Sequence, residues 1–260
     1  TGVKDAAGNA MSSQYETSSG FTTGAAPPAF VGVGASGNIV RTTDNGSNWD
    51  NATTSNTSFS STYYGVTFGD NTFVGVGYQG KIVRSTNNGS SWDNATTSNT
   101  NHLMGVTFGN NTFVGVGDSG NIVRSTNNGL SWDNATTDNS TTSDLKGVTF
   151  GNNIFVGVGI SGKIVRSTDN GSSWENATTS NANHLMDVTF GNNTFVAVGY
   201  SGQIVRSTDN GSNWDNTTTT TANDLTGVSF GNNIFVGVGD SGNIVRSTNN
   251  GASWDNATTA

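Results

Sequence analysis

The chain contains no cysteine and only two prolines among its 260 residues, and just 11% of the residues are charged. Without cysteine there is neither a disulfide framework nor a thiolate metal site. Leu, Ile, Val and Phe together supply about a fifth of the chain, close to the composition at which a sequence fails to bury a core. No run approaches the roughly 20 apolar residues of a membrane-spanning helix, so no membrane insertion is expected. The start carries no basic, apolar secretion signal, and Thr1 stands where an initiator Met would be. A fragment or processed form is therefore the expectation. Cations are scarce too: ten Lys and Arg face eighteen Asp and Glu, for a net charge of −8. Such a surface does not attract nucleic-acid backbones, so nucleic acid is not expected as a partner.

What the chain does have is Asn, Thr, Ser and 36 Gly. Short polar side chains compete for the backbone and Gly is entropically costly in a helix, so helical bundles and doubly wound α/β folds are disfavoured. The tryptophans fall at 49, 92, 132, 174, 214 and 254, steps of 43, 40, 42, 40 and 40. The text around each is nearly the same, as in residues 105–137, GVTFGNNTFVGVGDSGNIVRSTNNGLSWDNATT. Within one copy GVTF, TFVGVG, NIVRST and SWDNATT have the β-branched or aromatic content and the spacing by two of strands. GNN, DSG and NNG between them are turn formers that reach positive φ cheaply. A four-stranded unit with a period of 40–45 residues is the signature of a propeller blade. The expected fold is all-β, a six-bladed β-propeller of four-stranded antiparallel blades over residues 18–260, closed into a ring. Gly20-Phe21-Thr22-Thr23-Gly24 is the candidate inner strand of the first blade, followed by a longer loop with Pro27 and Pro28. Alternatively, part of 1–23 adds a closing strand.

The residues before each Trp resemble the Asp-box, Ser/Thr-x-Asp-x-Gly-x-x-Trp. The copies place Asp44, Asn87, Asn127, Asp169, Asp209 and Asn249 at the acidic position, ahead of Trp49, Trp92, Trp132, Trp174, Trp214 and Trp254. Together with FVGVG and IVRST, the boxes are similar to the repeats of Asp-box (BNR-like) propellers, including sialidase-like and photosystem II assembly-factor-like proteins. That resemblance implies a structural hairpin, tied by the acid or amide and plugged by Trp. Asn in half of the copies suits a hydrogen-bonding turn, whereas a catalytic carboxylate or hard-metal ligand does not tolerate an amide. Separately, Gly2-Val3-Lys4-Asp5, Gly8-Asn9-Ala10-Met11 and Gly20-Phe21-Thr22-Thr23 resemble the last strands of a bacterial Ig-like surface domain, so 1–17 is read as a linker or remnant of one. An extracellular or cell-surface location follows as an expectation.

Sialidase chemistry, in the family's pattern, needs an arginine cluster, a Tyr-Glu pair and an acid on different blades. Here Arg41, Arg84, Arg124, Arg166, Arg206 and Arg246 recur at one strand position, and the only glutamates are Glu16 and Glu175. Residues repeated by symmetry do not converge asymmetrically on one substrate, so an enzyme is not expected and no catalytic residue is assigned. Gly115–Gly120 matches a dinucleotide fingerprint but leads into a strand, where phosphate binding needs a helix N-terminus; no cofactor is expected. His102 and His184 lack matching acids, so no metal is expected.

Every copy ends in Asn-x-Thr, at Asn51, Asn94, Asn134, Asn176, Asn216 and Asn256, which are candidate N-glycosylation sites. Comparison between copies shows one nearly invariant face, holding the box and GNN turns, and one variable face. Ala35, Tyr78, Asp118, Ile160, Tyr200 and Asp240 open the variable second turns. The connections on that face carry Tyr63, Tyr64, His102, His184 and Asp224, with Asp144 and Lys146. Tyr63, Tyr64, Tyr78, His102, Asp118, His184, Tyr200 and Asp240 are therefore the candidate ligand-binding residues, since aromatic and polar side chains on loops of a rigid ring suit glycan or protein ligands. The expected function is a non-enzymatic extracellular binding module of a larger surface protein. The alternatives are a self-associating building block of a filament or layer, and a degenerate glycosidase.

Overall fold

In a computed structural model the described residues are 30–257, apart from 55–61, 138–142, 180–181, 218 and 220. The expected remnant at 1–17 and the candidate inner strand Gly20–Gly24 lie outside them. Among the described residues the fold is all-β, with six successive sheets and only single-turn 3-10 segments between strands. This is a propeller architecture of repeated antiparallel sheets.

The third repeat shows how the sequence builds a sheet. Strands Leu103–Gly109, Thr112–Gly117, Ile122–Ser125 and Ser131–Asn134 run antiparallel, first to fourth. Asn110 and Asn111 join the first two with φ of 48° and 57°, a two-residue turn whose twist matches the strands. That turn fixes the register Gly109↔Thr112, Phe108↔Phe113, Thr107↔Val114. The first strand then bulges between Leu103 and Gly105.

The fourth strand departs from expectation. SWDNATT reads as one run, but it ends at Asn94, and Thr96–Thr97 pairs in parallel with Ser131–Trp132 of the next repeat. Thr53–Thr54, Thr136–Thr137 and Thr178–Thr179 cross over in the same way. Four of the sheets thereby become five-stranded instead of four-stranded. The hinge is the alanine between: Ala95 N–H donates to the Ile82 carbonyl at 3.0 Å, and Thr96 N–H to the Leu130 carbonyl of the next repeat at 3.0 Å. At Asn51, Asn94, Asn134 and Asn176 the Asn-x-Thr is thus a strand end, a turn and the start of a shared strand. The six asparagines are exposed.

The core lies between sheets. Val74, Val76 and Ile82 of the second repeat pack on Leu103, Phe113, Val123 and Trp132 of the third, and four comparable clusters join the other neighbours. Phe108, Phe113 and Trp132 form an aromatic chain with centroid spacings of 4.6 and 6.3 Å. A thin sheet with little apolar sequence is stable here because both of its faces are covered by copies of itself. The expected ring is not joined among the described residues: the first sheet has three strands, the last has four, and their outward faces are exposed.

Candidate functional site

On the invariant face each box turn carries its own hydrogen bonds, although the side-chain oxygens of Asn128, Asn170 and Asn250 are buried without a partner among the described residues. In the fourth repeat the Ser167 hydroxyl donates to Asp169 Oδ1 at 2.8 Å and accepts Gly171 N–H at 2.9 Å. Asp169 also accepts Ser173 N–H, at 2.9 Å, and Trp174 Nε1 donates to the Gly171 carbonyl at 3.1 Å. Asn127 makes the equivalent bonds in the third repeat, which explains why acid and amide alternate. The hydroxyl of Thr42 and then the N–H and side chain of Asn48 draw Asp44 down to about 2. Burial pushes Asp169 and Asp209 up, but their bonds to neighbouring N–H and hydroxyl groups outweigh it, and both lie below the ordinary carboxylate value.

Four of the arginines, Arg41, Arg84, Arg166 and Arg206, tie one repeat to the next, whereas the Nε of Arg124 is buried without a partner among the described residues. Arg84 Nε donates to the Asn128 carbonyl at 3.2 Å, Arg41 Nη1 to the Asn88 carbonyl at 3.1 Å, and Arg206 Nη1 to the Asn250 carbonyl at 3.3 Å. Arg166 reaches Ser212 Oγ at 2.5 Å and Glu175 of its own sheet at 3.3 Å. Guanidinium groups held on box turns are structural ties.

On the variable face the second turns are the 3-10 segments, each with a central residue at positive φ, such as Gln79 at 52° and Ser119 at 55°. That conformation aims the central N–H away from the sheet, and the next repeat caps it. His102 Nδ1 accepts Gln79 N–H at 2.9 Å, Asp144 Oδ1 accepts Ser119 N–H at 2.9 Å, His184 Nδ1 accepts Ser161 N–H at 3.0 Å and Asp224 Oδ1 accepts Ser201 N–H at 2.8 Å. The capping residue also holds its own turn, since the His102 carbonyl accepts Asp118 N–H at 3.0 Å. Sequence comparison singled out both histidines as ligand candidates without detecting this capping role. The signal was present, because this position carries only Thr62, His102, Asp144, His184 or Asp224, all acceptors.

Around the caps the candidates fall into groups. Tyr78 stacks on His102 with centroids 4.4 Å apart, and His184 lies 5.2 Å from Tyr200. Lys146 bridges Asp144 at 3.2 Å and Asp118 at 3.8 Å. The N–H of Ser119 and then Lys146 overcome partial burial to hold Asp144 below its usual value. Tyr64, Tyr78 and Tyr200 are exposed, as is Asp240. Beside Tyr78, a cleft of about 260 Å³ is lined by Gln79, Lys81, Asn94 and Asn99. Tyr63 requires a correction. It is 3% exposed and packs with Ile39, Phe73 and Trp92, filling the place that Leu103, Leu145, Leu185 and Leu225 take in other repeats. Burial pushes its phenol far above the ordinary value. Tyr63 is a core residue.

Asp187, in a first strand, was not singled out by sequence. Its carboxylate accepts Val188 N–H at 2.8 Å and Val228 N–H of the next sheet at 2.9 Å, where the other repeats have Gly65, Gly105, Gly147 and Gly227. Burial raises its pKa against those two bonds. Among the described residues no group of three or more His, Cys, Asp or Glu could hold a metal ion.

Comparison with known proteins agrees with this architecture. Among solved structures, YCF48 bound to D1 peptide is 18% identical, with a TM-score of 0.68 over 88% of this chain and 76% of that one. YCF48 from Cyanidioschyzon merolae is likewise 18% identical, with a TM-score of 0.70 over 89% and 82%. An ancestral GH74 enzyme is 19% identical, with a TM-score of 0.61 over 75% of this chain and 31% of its own. At such identities these structures share the fold alone. No curated protein sequence matches the chain. The family model described as the DUF6242 beta propeller domain matches residues 128–260, just over half of the chain, and the chain therefore belongs to the DUF6242 beta propeller domain family.

Proposed function

We propose that the chain is a six-bladed propeller of the Asp-box kind, acting outside the cell as a non-enzymatic interaction module that takes a peptide or glycan segment on its variable face. The observation that carries this reading is the cap network. It fixes four of the second turns to the next sheet and thereby presents Tyr78 and Tyr200 exposed on a rigid frame, with Tyr64 exposed on a first strand. Exposed tyrosines with few rotamers to freeze, flanked by amide and carboxylate groups, suit ligands with alternating apolar and polar surface. The YCF48 structure with a bound peptide supports this use of the fold. Use of the arginines as ties, in place of a substrate clamp, supports a non-enzyme. A peptide library and a glycan array, each probed with the whole chain, test the reading: saturable binding is expected in one of them, weakened by Tyr78→Ala and Tyr200→Ala. Binding indifferent to both substitutions, or turnover of a fluorogenic glycoside, refutes it.

A further inference from the structure

Four second turns are closed by the same bond made with two chemistries. His102 and His184 accept the central N–H through Nδ1, from Gln79 at 2.9 Å and Ser161 at 3.0 Å. Asp144 and Asp224 accept it through a carboxylate oxygen, from Ser119 at 2.9 Å and Ser201 at 2.8 Å. The two kinds alternate along the chain. An imidazole accepts at Nδ1 only while it is neutral and carries its proton on Nε2; once protonated, both ring nitrogens are donors. A carboxylate loses its acceptor character only near or below about pH 4. For Asp144 the Ser119 N–H and Lys146 move that loss lower still.

The imidazoles also touch the two exposed tyrosines. Tyr78 stacks on His102 at 4.4 Å and an interplanar angle of 28°, and His184 lies 5.2 Å from Tyr200 at 38°. The titratable groups on the turns packed against His102 are Tyr78, Lys81 and Asp118, and the Asp118 carboxylate is 3.8 Å from Lys146. Those on the turns against His184 are Lys163, which is engaged with Asn176, and Tyr200. Among the described residues neither imidazole pairs with a carboxylate.

We infer that mild acid releases the His102 and His184 caps while the Asp144 and Asp224 caps hold, so that proton-sensitive and proton-insensitive second turns alternate on the variable face. Protonation sets a ring N–H against the Gln79 N–H, two donors at the 2.9 Å of the former bond. The ring turns or withdraws, the second turn loses its tie to the next sheet, and Tyr78 loses the surface it stacks on. A ligand held through Tyr78 is then let go. That last consequence rests on the interaction reading proposed above, whereas the change in the caps does not.

Backbone amide exchange followed by NMR on the whole chain, expressed as protection factors at about pH 7.5 and about pH 5, brackets the range in which histidine ordinarily titrates. Protection of Gln79 and Ser161 should fall about fivefold on acidification, the size of one lost hydrogen bond, while Ser119 and Ser201 stay level. His102→Asp should hold Gln79 level as well, and Asp224→His should make Ser201 acid-sensitive. The parent chain alone decides the matter if either variant fails to fold. Four amides that change together, or a Gln79 amide that still loses protection in His102→Asp, overturn the inference. A peptide or glycan that binds the parent at the higher pH should bind more weakly at the lower one, and equally at both in His102→Asp. Equal binding by the parent at both, with the caps released, overturns the letting go of ligand. Caps that release in a chain binding no peptide or glycan refute the interaction reading and leave the acid response standing.

Discussion

Three glycines of the third repeat, all in the same sheet, should respond to alanine in three different ways. At Gly115 a Cβ would meet Val123 at 3.2 Å, with Gly105 and Leu103 at an ordinary 3.8 Å, and the fifth repeat already carries fully buried Ala197 at the same place. Gly115→Ala should lie between neutral and about 1 kcal/mol stabilising, because Ala lowers the entropy of the unfolded chain. At Gly109 the Cβ would fall 2.1 Å from Cγ of Phe150 in the next sheet. Carbon atoms pack at about 3.5–4 Å, so the ring must retreat by about 1.5 Å into Phe155, its neighbour at 4.6 Å. Gly109→Ala should cost about 1–3 kcal/mol. At Gly117 the Cβ would sit 1.8 Å from the His102 carbonyl oxygen, which accepts the N–H of Asp118. Moving that carbonyl breaks the bond, adding about 1 kcal/mol to the overpacking cost, for a total of about 2–4 kcal/mol. Urea unfolding followed by tryptophan fluorescence should therefore rank the midpoints Gly115→Ala, Gly109→Ala, Gly117→Ala from highest to lowest. Midpoints for the last two within error of the parent would refute the close-packed interface, and Gly115→Ala as the worst of the three would refute the register.

His102→Asp should keep the cap, because Asp144 and Asp224 already perform it, whereas His102→Ala should cost about 1 kcal/mol. Thermal melts of the two variants compare them directly, and equal losses would deny the capping role. Ser125→Ala removes the buried hydroxyl that accepts Gly129 N–H at 3.0 Å and donates to Asn127, and should cost about 1–3 kcal/mol in chemical denaturation. Asp187 has a folded pKa above its unfolded value, so its contribution is fully present below about pH 4 and is lost as pH rises through the raised value. Asp187→Gly should abolish that decline in urea midpoints measured at pH 4, 5.5 and 7. The depressed values at Asp169 and Asp209 act oppositely: their stabilisation is present above about pH 4 and is lost as pH falls. Replacing both with Asn, as at position 87, should flatten the acid limb of a stability profile, and an unchanged limb would contradict the hydrogen-bonding role.

The turns were legible because their chemistry is local. Asn-Asn at positive φ, the 3-10 segments and the Ser-Asp-Trp box each follow from a few adjacent residues, and six nearly identical copies fixed the order of strands. Contacts that cross between repeats were harder to read. Tyr63 reads as a surface aromatic until it is aligned with Leu103 and Leu145, when its core position is evident. The caps at His102 and Asp144 were hidden because a histidine and a carboxylate look like different chemistry, although both serve as acceptors there. Thr96–Thr97 continues the strand pattern of Trp92 without a break, so nothing local announces that it leaves its own sheet. Asp187 differs from its glycine counterparts openly, yet its two N–H partners belong to adjacent sheets and depend on how these stack.

The crossing of the Thr-Thr pairs at 53–54, 96–97, 136–137 and 178–179 puts the coded unit and the folded unit out of phase by one strand. A fragment cut at sequence boundaries inherits an opening sheet that lacks its outer strand and a trailing pair of threonines with no sheet to join. The smallest piece able to form a given number of complete sheets must accordingly carry one repeat more than that number. Gain or loss of whole repeats in such a gene preserves the pairing of every interior sheet, because donor and acceptor strands are renewed together at each junction.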